Sequence, residues 1–378
     1  MGVKLDDWAL SPEVMHLNHG SYGGCPREVL EHALRLRREL EAAPMQFFGL
    51  AWQTLVDGAR TMLAQFVGAD FERLVFVPNA TSGVAIALHS VELAAGDEIV
   101  TTNHTYRAIR NQLVRLADAR RARLVIVPLA LPFDPDAAVA AIAAAITPRT
   151  RLVVLDHVTS PTAIVLPLER ILPPLHERGI ATVIDGAHAA GQIALDVTAL
   201  GATYYAGNNH KWLCAPKASG FLVARGPLRP LVTSHGASAE YGPPNRLHAE
   251  LDWAGTHDPT SQLCVPTAIV TLGDWAALRT RNHRLVLELR DRVRDAFGSR
   301  TQLAPDASLG AMAALPVELP PNTTPLALTQ ELLRDGWELP IVDWPGQPLV
   351  RISAHAYNEA SDAEPLIAKL RALAIRVL

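Results

Sequence analysis

Apolar runs too short for helices recur along the first two thirds of the chain, separated by segments of helical period. RLVFVPNAT (73–81), DEIVTT (97–102), RLVIVPL (123–129), RLVVLD (151–156), ATVIDG (181–186) and GFLVAR (220–225) are strand-like, rich in Val, Ile and Leu. Between them VAIALHSVEL (84–93), RAIRNQLVRLADARR (107–121), PDAAVAAIAAAIT (135–147) and LERILPPLHERG (168–179) carry helical patterns. Two further helices are predicted upstream, Arg27 to Ala43 and Trp52 to Phe66, the first started by Pro26. Apolar strands alternating with helices predict an α/β fold, a mostly parallel sheet flanked by helices. In such sheets ligands sit beyond the carboxyl ends of the strands. The polar clusters of this chain fall there.

Past GFLVAR the pattern changes. Residues 233–262 form an irregular stretch rich in Gly, Pro and His, and a single long helix is predicted from Val265 to Phe297. Short strands and two helices follow, with VRISAHAYN (350–358) as the last strand and Ala363 to Arg376 as the last helix. The expected organisation is an N-terminal arm (1–16), a large domain (17–262) and a smaller α+β C-terminal domain (263–378).

Of 378 residues 49% are hydrophobic and 19% charged, and the net charge is -4. That balance gives no electrostatic basis for nucleic-acid or membrane-surface binding. No run approaches the roughly 20 apolar residues of a membrane span, and the first residues do not resemble a signal peptide. Three scattered cysteines, Cys25, Cys214 and Cys264, make neither a disulfide framework nor a metal cluster. A cytoplasmic location is expected. Cys214, near the lysine discussed next, suits a small buried apolar side chain.

Lysine is scarce. Lys4, Lys211, Lys217 and Lys369 are four of the 34 basic residues, and Lys211 lies in a Gly/Asn/His loop, YYAGNNHKW. Arginine cannot replace a nucleophilic amine. Asp185, at the end of the ATVID strand, precedes His188 by three residues and Lys211 by about two dozen. An acid at a buried strand end with a lysine after a later strand suits pyridoxal 5'-phosphate. The lysine holds the cofactor aldehyde, and the acid keeps the pyridine nitrogen protonated so that the ring accepts electrons. Asn79-Ala80-Thr81-Ser82-Gly83, at a strand-to-helix turn, would cradle a phosphate, although such residues also serve simply as helix caps. HLNHGSYGGCP (16–26) is a Gly-rich turn before a helix.

These motifs, with LNHGSYGGCPRE, APMQF, DHVTSPTAIVLP, DGAHAAGQIALD, YYAGNNHKWLCAPKASGFL, AGTHDPTS and VRISAHAYN, resemble the class V aminotransferase family of fold type I pyridoxal phosphate enzymes. Within it the resemblance is to the isopenicillin N epimerase-like subfamily. It covers most of the chain in order. It implies Lys211 as the cofactor-bearing lysine and acid/base at Cα, and Asp185 as partner of the pyridinium nitrogen. His188 and Ser160 would lie near the phenolic oxygen. Tyr106 would stack on the ring, with His104 as the alternative. Thr81, Ser82, Asn208 and His210 would surround the phosphate, with Thr256 reaching it from a partner subunit. Arg351 would grip the substrate carboxylate, with Asn18 beside the substrate. Outside the family, Asp185 and His188 also suit a turn cap, Tyr106 a core position and Arg351 an edge strand.

The resemblance further implies a homodimer with shared active sites and a small amino-acid substrate. Epimerisation at Cα comes first, β-elimination of a sulfur substrate second and transamination third. A cofactor-binding sensor without catalysis is the other class, disfavoured by the set Lys211, Asp185 and Arg351. There are departures. The family's desulfurases carry a cysteine before the last arginine strand, and residues 265–350 contain none. Ala163 and Ala218 stand where relatives often have Gly.

Overall fold

The computed structural model of the chain describes residues 5–232 and 246–378, with the side chain of Arg246 also outside the description. Seven strands form one sheet: β1 (Leu74–Val77), β2 (Glu98–Thr102), β3 (Arg123–Val127), β4 (Thr150–Asp156), β5 (Ala181–Gly186), β6 (Tyr204–Asn208) and β7 (Gly220–Ala224). Their order is β1-β7-β6-β5-β4-β2-β3. From β6 to β3 all neighbours are parallel, while β7 runs antiparallel to both β1 and β6.

Successive strand residues face opposite sides of a sheet. Val154 and Val183 therefore join one core with helices α3 (Ala80–Ser90) and α4 (Arg107–Arg120), numbered after α1 (Arg27–Ala42) and α2 (Trp52–Val67). Val153, Leu155 and Ile184 join the opposite core with Leu168, Ile171 and Leu172 of the helix Leu168–Glu177. Burial on both faces explains why these strands read as nearly continuous apolar runs. The sheet and its helices are the fold type I architecture that the sequence predicts.

A second sheet holds β8 (Met312–Glu318), β9 (Ile341–Val342), β10 (Leu349–Ser353) and β11 (Arg376–Val377), all antiparallel in the order β9-β10-β8-β11. The arm is tied to this region, because Met15–His16 pairs with Trp337–Glu338.

Three expectations need correction. The long helix is two, Val265–Leu272 and Trp275–Phe297. Gly273 takes φ 66, and Asp274 accepts the backbone N–H groups of Ala276 and Ala277. A Gly–Asp pair stops one helix and caps the next while the apolar period runs on across it. The strand expected over 350–358 ends at Ser353 and is not the last, because the helix expected to reach Arg376 stops at Ala372 and β11 follows it. In the stretch read as irregular, Arg246–Leu251 is helical, and 233–245 lie outside the described residues. Ala163 (φ 62) and Ala218 (φ 66) occupy the left-handed region. Relatives' glycines at these positions would sit there without the Cβ penalty.

Candidate active site

Asp185 and Asp156 end adjacent parallel strands and are paired in register. Both line one cavity of about 410 Å³, together with Asn79, Thr81, Tyr106, Ser160, His188, Asn208, His210 and Lys211. The cavity lies beyond the carboxyl ends of the parallel strands, as this topology favours.

Lys211 lies three residues past β6. The surrounding protein pushes its ammonium down to about 8, with the Arg351 charge adding to the effect and Asp185 opposing it. Its Nζ is 3.2 Å from His188 Nε2, and Trp212 Nε1 donates to His188 Nδ1 at 3.3 Å. An indole can only donate. His188 is buried and held neutral well below its usual range, first by burial and then by the Lys211 charge. Its Nδ1 accepts from Trp212, so the proton of the neutral ring sits on Nε2, facing Lys211 Nζ, where the lysine amine accepts it once deprotonated. Trp212→Phe removes that donor while keeping an aromatic ring. Cofactor uptake by the apoprotein should slow about 2- to 10-fold, the scale of one hydrogen bond, which stopped-flow absorbance would read.

The lysine loop is gripped from two sides by turns distant in sequence. His19 Nδ1 accepts from Gly24 N–H at 3.3 Å, which leaves the proton on Nε2 to be donated to Lys211 O at 3.1 Å. Gly23, at φ 73 and ψ 153, packs so closely that a Cβ would lie 2.1 Å from His210 O. That backbone region is essentially reserved for glycine. Gly23→Ala should therefore destabilise the protein by roughly 1–3 kcal/mol from backbone strain alone, with weaker cofactor binding, measured by thermal unfolding and cofactor titration. Cys214 sits among His19, His355 and Trp212 as a buried thiol, with Sγ 3.7 Å from His19 Nε2 and 3.6 Å from His355 Nε2. Because His19 Nε2 already gives its proton to the Lys211 carbonyl, this group braces the loop.

Asp185 Oδ1 accepts Ala187 N–H at 3.0 Å. Burial raises its pKa, opposed by that N–H and by Lys211. Asp156 is raised further, by burial and then by the Asp185 charge, and its Oδ2 is buried without a partner. Proton uptake by the pair is thus favoured first at Asp156, which favours Asp185 as the charged partner. A buried carboxylate facing a cavity needs a cationic partner there, and a protonated pyridine nitrogen fits. Asp156 Oδ1 also accepts the backbone N–H of Tyr106 at 3.3 Å.

At the cradle, Asn79 caps α3 by accepting from Ser82 N–H, and Asn208 Oδ1 accepts Ala80 N–H at 2.8 Å. Thr81, Asn208 and His210 line the cavity. Ser82 does not, since its hydroxyl turns back to Asn79 at 3.2 Å. His210 Nδ1 donates to Ser219 O at 2.9 Å, leaving Nε2 free. A helix start with these groups fits a phosphate. The whole donor set therefore suits pyridoxal 5'-phosphate, with Lys211 for its aldehyde and Asp185 for its ring nitrogen.

Of the two candidates for the ring face, Tyr106 lines the cavity and is 44% exposed. His104 is fully buried elsewhere, with Nδ1 on Thr162 Oγ1 at 2.7 Å and Nε2 on Leu129 O at 3.1 Å. Arg351 is buried at the middle of β10 and pushed down to about 10 by burial. It donates to Ser160 O (2.6 Å), Asn18 Oδ1 (2.9 Å) and Ser21 Oγ (3.0 Å). Asn18 thus orients the arginine. Thr256 is exposed and lines no described cavity. Asp156, Trp212 and His19 were in view in the sequence without a role. Strand register and chain packing, which bring them to Asp185, His188 and Lys211, leave no local signal.

This fold and site define a pyridoxal phosphate enzyme of fold type I. Residues 24–294 match the family aminotransferase class-V, and the chain belongs to that family. It is 37% identical to isopenicillin N epimerase of Amycolatopsis lactamdurans, over 97% of this chain and 96% of that protein. Identity with isopenicillin N epimerase of Streptomyces clavuligerus is 34%, over 96% of each. A putative L-cysteine desulfhydrase of Oryza sativa subsp. japonica is 32% identical over 76% of this chain and 64% of that protein. Among solved structures, a cystine C–S lyase in complex with cysteine persulfide superposes with TM-score 0.82 at 22% identity, covering 95% of this chain and 97% of that one. That likeness speaks for the fold alone.

Proposed function

We propose that this enzyme removes and returns the Cα proton of an amino-acid substrate, with epimerisation as the net reaction. The supporting observation is that two proton-carrying side chains, Lys211 and Tyr106, line one cavity while His104 is committed elsewhere. Inversion requires protons to leave and return on opposite faces of Cα, and so two such groups. When bound, the cofactor supplies an electron sink for the charge left at Cα. Lys211, poised near neutrality, takes the proton. His188 holds the amine in place, Arg351 orients the carboxylate, and Tyr106 returns a proton from the other face. Similarity to the two epimerases over nearly the whole chain favours the same reading.

The second reading is a carbon–sulfur β-lyase, favoured by similarity to the desulfhydrases. Elimination needs Lys211 alone plus a leaving group at Cβ. Incubation with L-cysteine and L-cystine, following pyruvate, ammonia and sulfide, separates the two. The epimerase reading expects no stoichiometric release, whereas pyruvate and ammonia with equal sulfide from L-cysteine, or with equal cysteine persulfide from L-cystine, would replace it with the lyase.

The working form in this reading is a homodimer in the cytoplasm, with Thr256 of one subunit reaching the phosphate of its partner. Tyr22, Met45 and Leu50 are 75%, 84% and 81% exposed, and large apolar surfaces of this kind suit an interface. A fully active monomer by light scattering would rule the dimer out. The proposed division places the small domain from about 263 onward. Among the described residues no helix is long and apolar enough to cross a membrane.

A further inference from the structure

The turn 103–106, between β2 and α4, is pinned at every residue, and of its side chains only the Tyr106 ring faces the lysine cavity. Asn103 holds Leu129 at two points, with Oδ1 accepting Leu129 N–H at 2.8 Å and Nδ2 donating to Leu129 O at 3.2 Å. Thr101 Oγ1 donates to Val154 O at 2.8 Å, so it accepts the Thr105 hydroxyl at 2.6 Å. The backbone N–H of Tyr106 is taken by Asp156 Oδ1.

His104 fastens the turn through a chain of hydrogen bonds whose direction is fixed throughout. Its Nε2 lies 3.1 Å from Leu129 O, and a carbonyl can only accept, so the proton is on Nε2. Burial lowers the ring's pKa to about 4, which keeps it neutral and leaves Nδ1 an acceptor. Thr162 Oγ1, at 2.7 Å, therefore donates to Nδ1. With its own hydrogen committed, Thr162 accepts from Thr159 Oγ1 at 2.7 Å. Thr159 in turn accepts Ile164 N–H at 2.8 Å. His104, Thr159 and Thr162 are all buried, and a buried acceptor deprived of its donor is costly. Between the two threonines lies Ser160, whose carbonyl accepts from Arg351 at 2.6 Å. The turn after β4 thus holds both Arg351 and the turn that carries Tyr106.

We propose that Thr162 and His104 are positioning residues for Tyr106, latching the turn 103–106 so that the phenol, in place of the imidazole, meets Cα on the side away from Lys211. This rests on the reading that Lys211 and Tyr106 serve opposite faces of Cα. Lys211 has separate support, from His188 and the braced loop. Loss of the latch therefore impairs one face alone. Lys211 still removes a proton and returns it, while delivery by Tyr106 fails.

The test is Thr162→Val, which keeps the side-chain shape and removes the hydroxyl, with Thr162→Ser as the conservative control. L- and D-alanine, methionine and glutamate are incubated with the holoenzyme in deuterium oxide, following Cα exchange and inversion together. In Thr162→Val the enantiomer whose Cα proton faces Lys211 should still exchange it. Inversion relative to exchange should fall about 10- to 100-fold, the scale of misplacing a reacting group by about 1 Å. Thr162→Ser should restore most of the ratio. A second readout needs no turnover. With 3-fluorotyrosine at position 106 alone, the fluorine resonance of the holoenzyme should shift or broaden in Thr162→Val and keep its place in Thr162→Ser. If Thr162→Val does not fold, His104→Phe, which keeps a ring and cuts the chain at its other end, takes its place in both measurements. An unchanged ratio, an unmoved fluorine signal, or equal loss of exchange and inversion would each overturn the proposal. Absence of exchange in the unaltered enzyme counts against the Cα chemistry alone, and the fluorine signal then decides the latch.

Discussion

Lys211→Ala should lower turnover by about 10⁴-fold or more, since positioned acid–base groups alone contribute about 10²–10⁴ and in the proposed function this lysine also carries the cofactor. Borohydride reduction of the unaltered protein should fix the cofactor on Lys211, and peptide mapping should show no label there in the variant. Label on Lys217, which instead donates to Gly23 O at 2.9 Å, would place the chemistry on the wrong residue. Lys211→Arg should not rescue, because guanidinium stays charged. The pH dependence has a definite sign. The amine reacts only when deprotonated, and burial has lowered its pKa to about 8. Cofactor uptake by the apoprotein should therefore rise with pH through about 8 and level off above it. A rise continuing to the ordinary lysine value of about 10.4 would mean that the amine is not buried as described.

Asp185→Asn should cost roughly 10²–10³-fold in turnover, the scale of removing one preorganised electrostatic partner from a reaction centre. The amide preserves shape but cannot favour a protonated ring nitrogen. Asp156 is the internal control. Burial and the Asp185 charge push its carboxyl towards the neutral form, so Asp156→Asn should cost far less than Asp185→Asn. Equal losses in the two variants would show that the negative charge is not confined to Asp185. Absorbance of the bound cofactor, recorded with turnover, distinguishes a weakened electron sink from lost binding.

The strand–helix alternation was legible because the central parallel strands are buried on both faces, leaving runs such as RLVVLD largely unbroken by polar residues, while the edge strand β3 is half-exposed yet still apolar. Lys211 and Asp185 stood out because residue type and position together suit one chemistry, and the structure brings both to one cavity. The break at Gly273–Asp274 was not legible, since the apolar period carries through it. Neither was the choice between His104 and Tyr106. They share one turn, and only Thr162 and Leu129, contributed from elsewhere in the chain, commit the histidine. Asp156 ends a strand as Asp185 does, but its consequence comes from strand register.

The central claim is that this cavity takes a proton from Cα and returns it to the opposite face. Incubation of the holoenzyme with a single-enantiomer amino acid in deuterium oxide tests it most directly, with Cα deuterium and chirality followed together. The expected result is deuterium at Cα in both enantiomers, approaching equal amounts, with the carbon skeleton and amino group intact. Deuterium confined to the starting enantiomer, or stoichiometric keto acid with loss of the Cβ substituent, would contradict it.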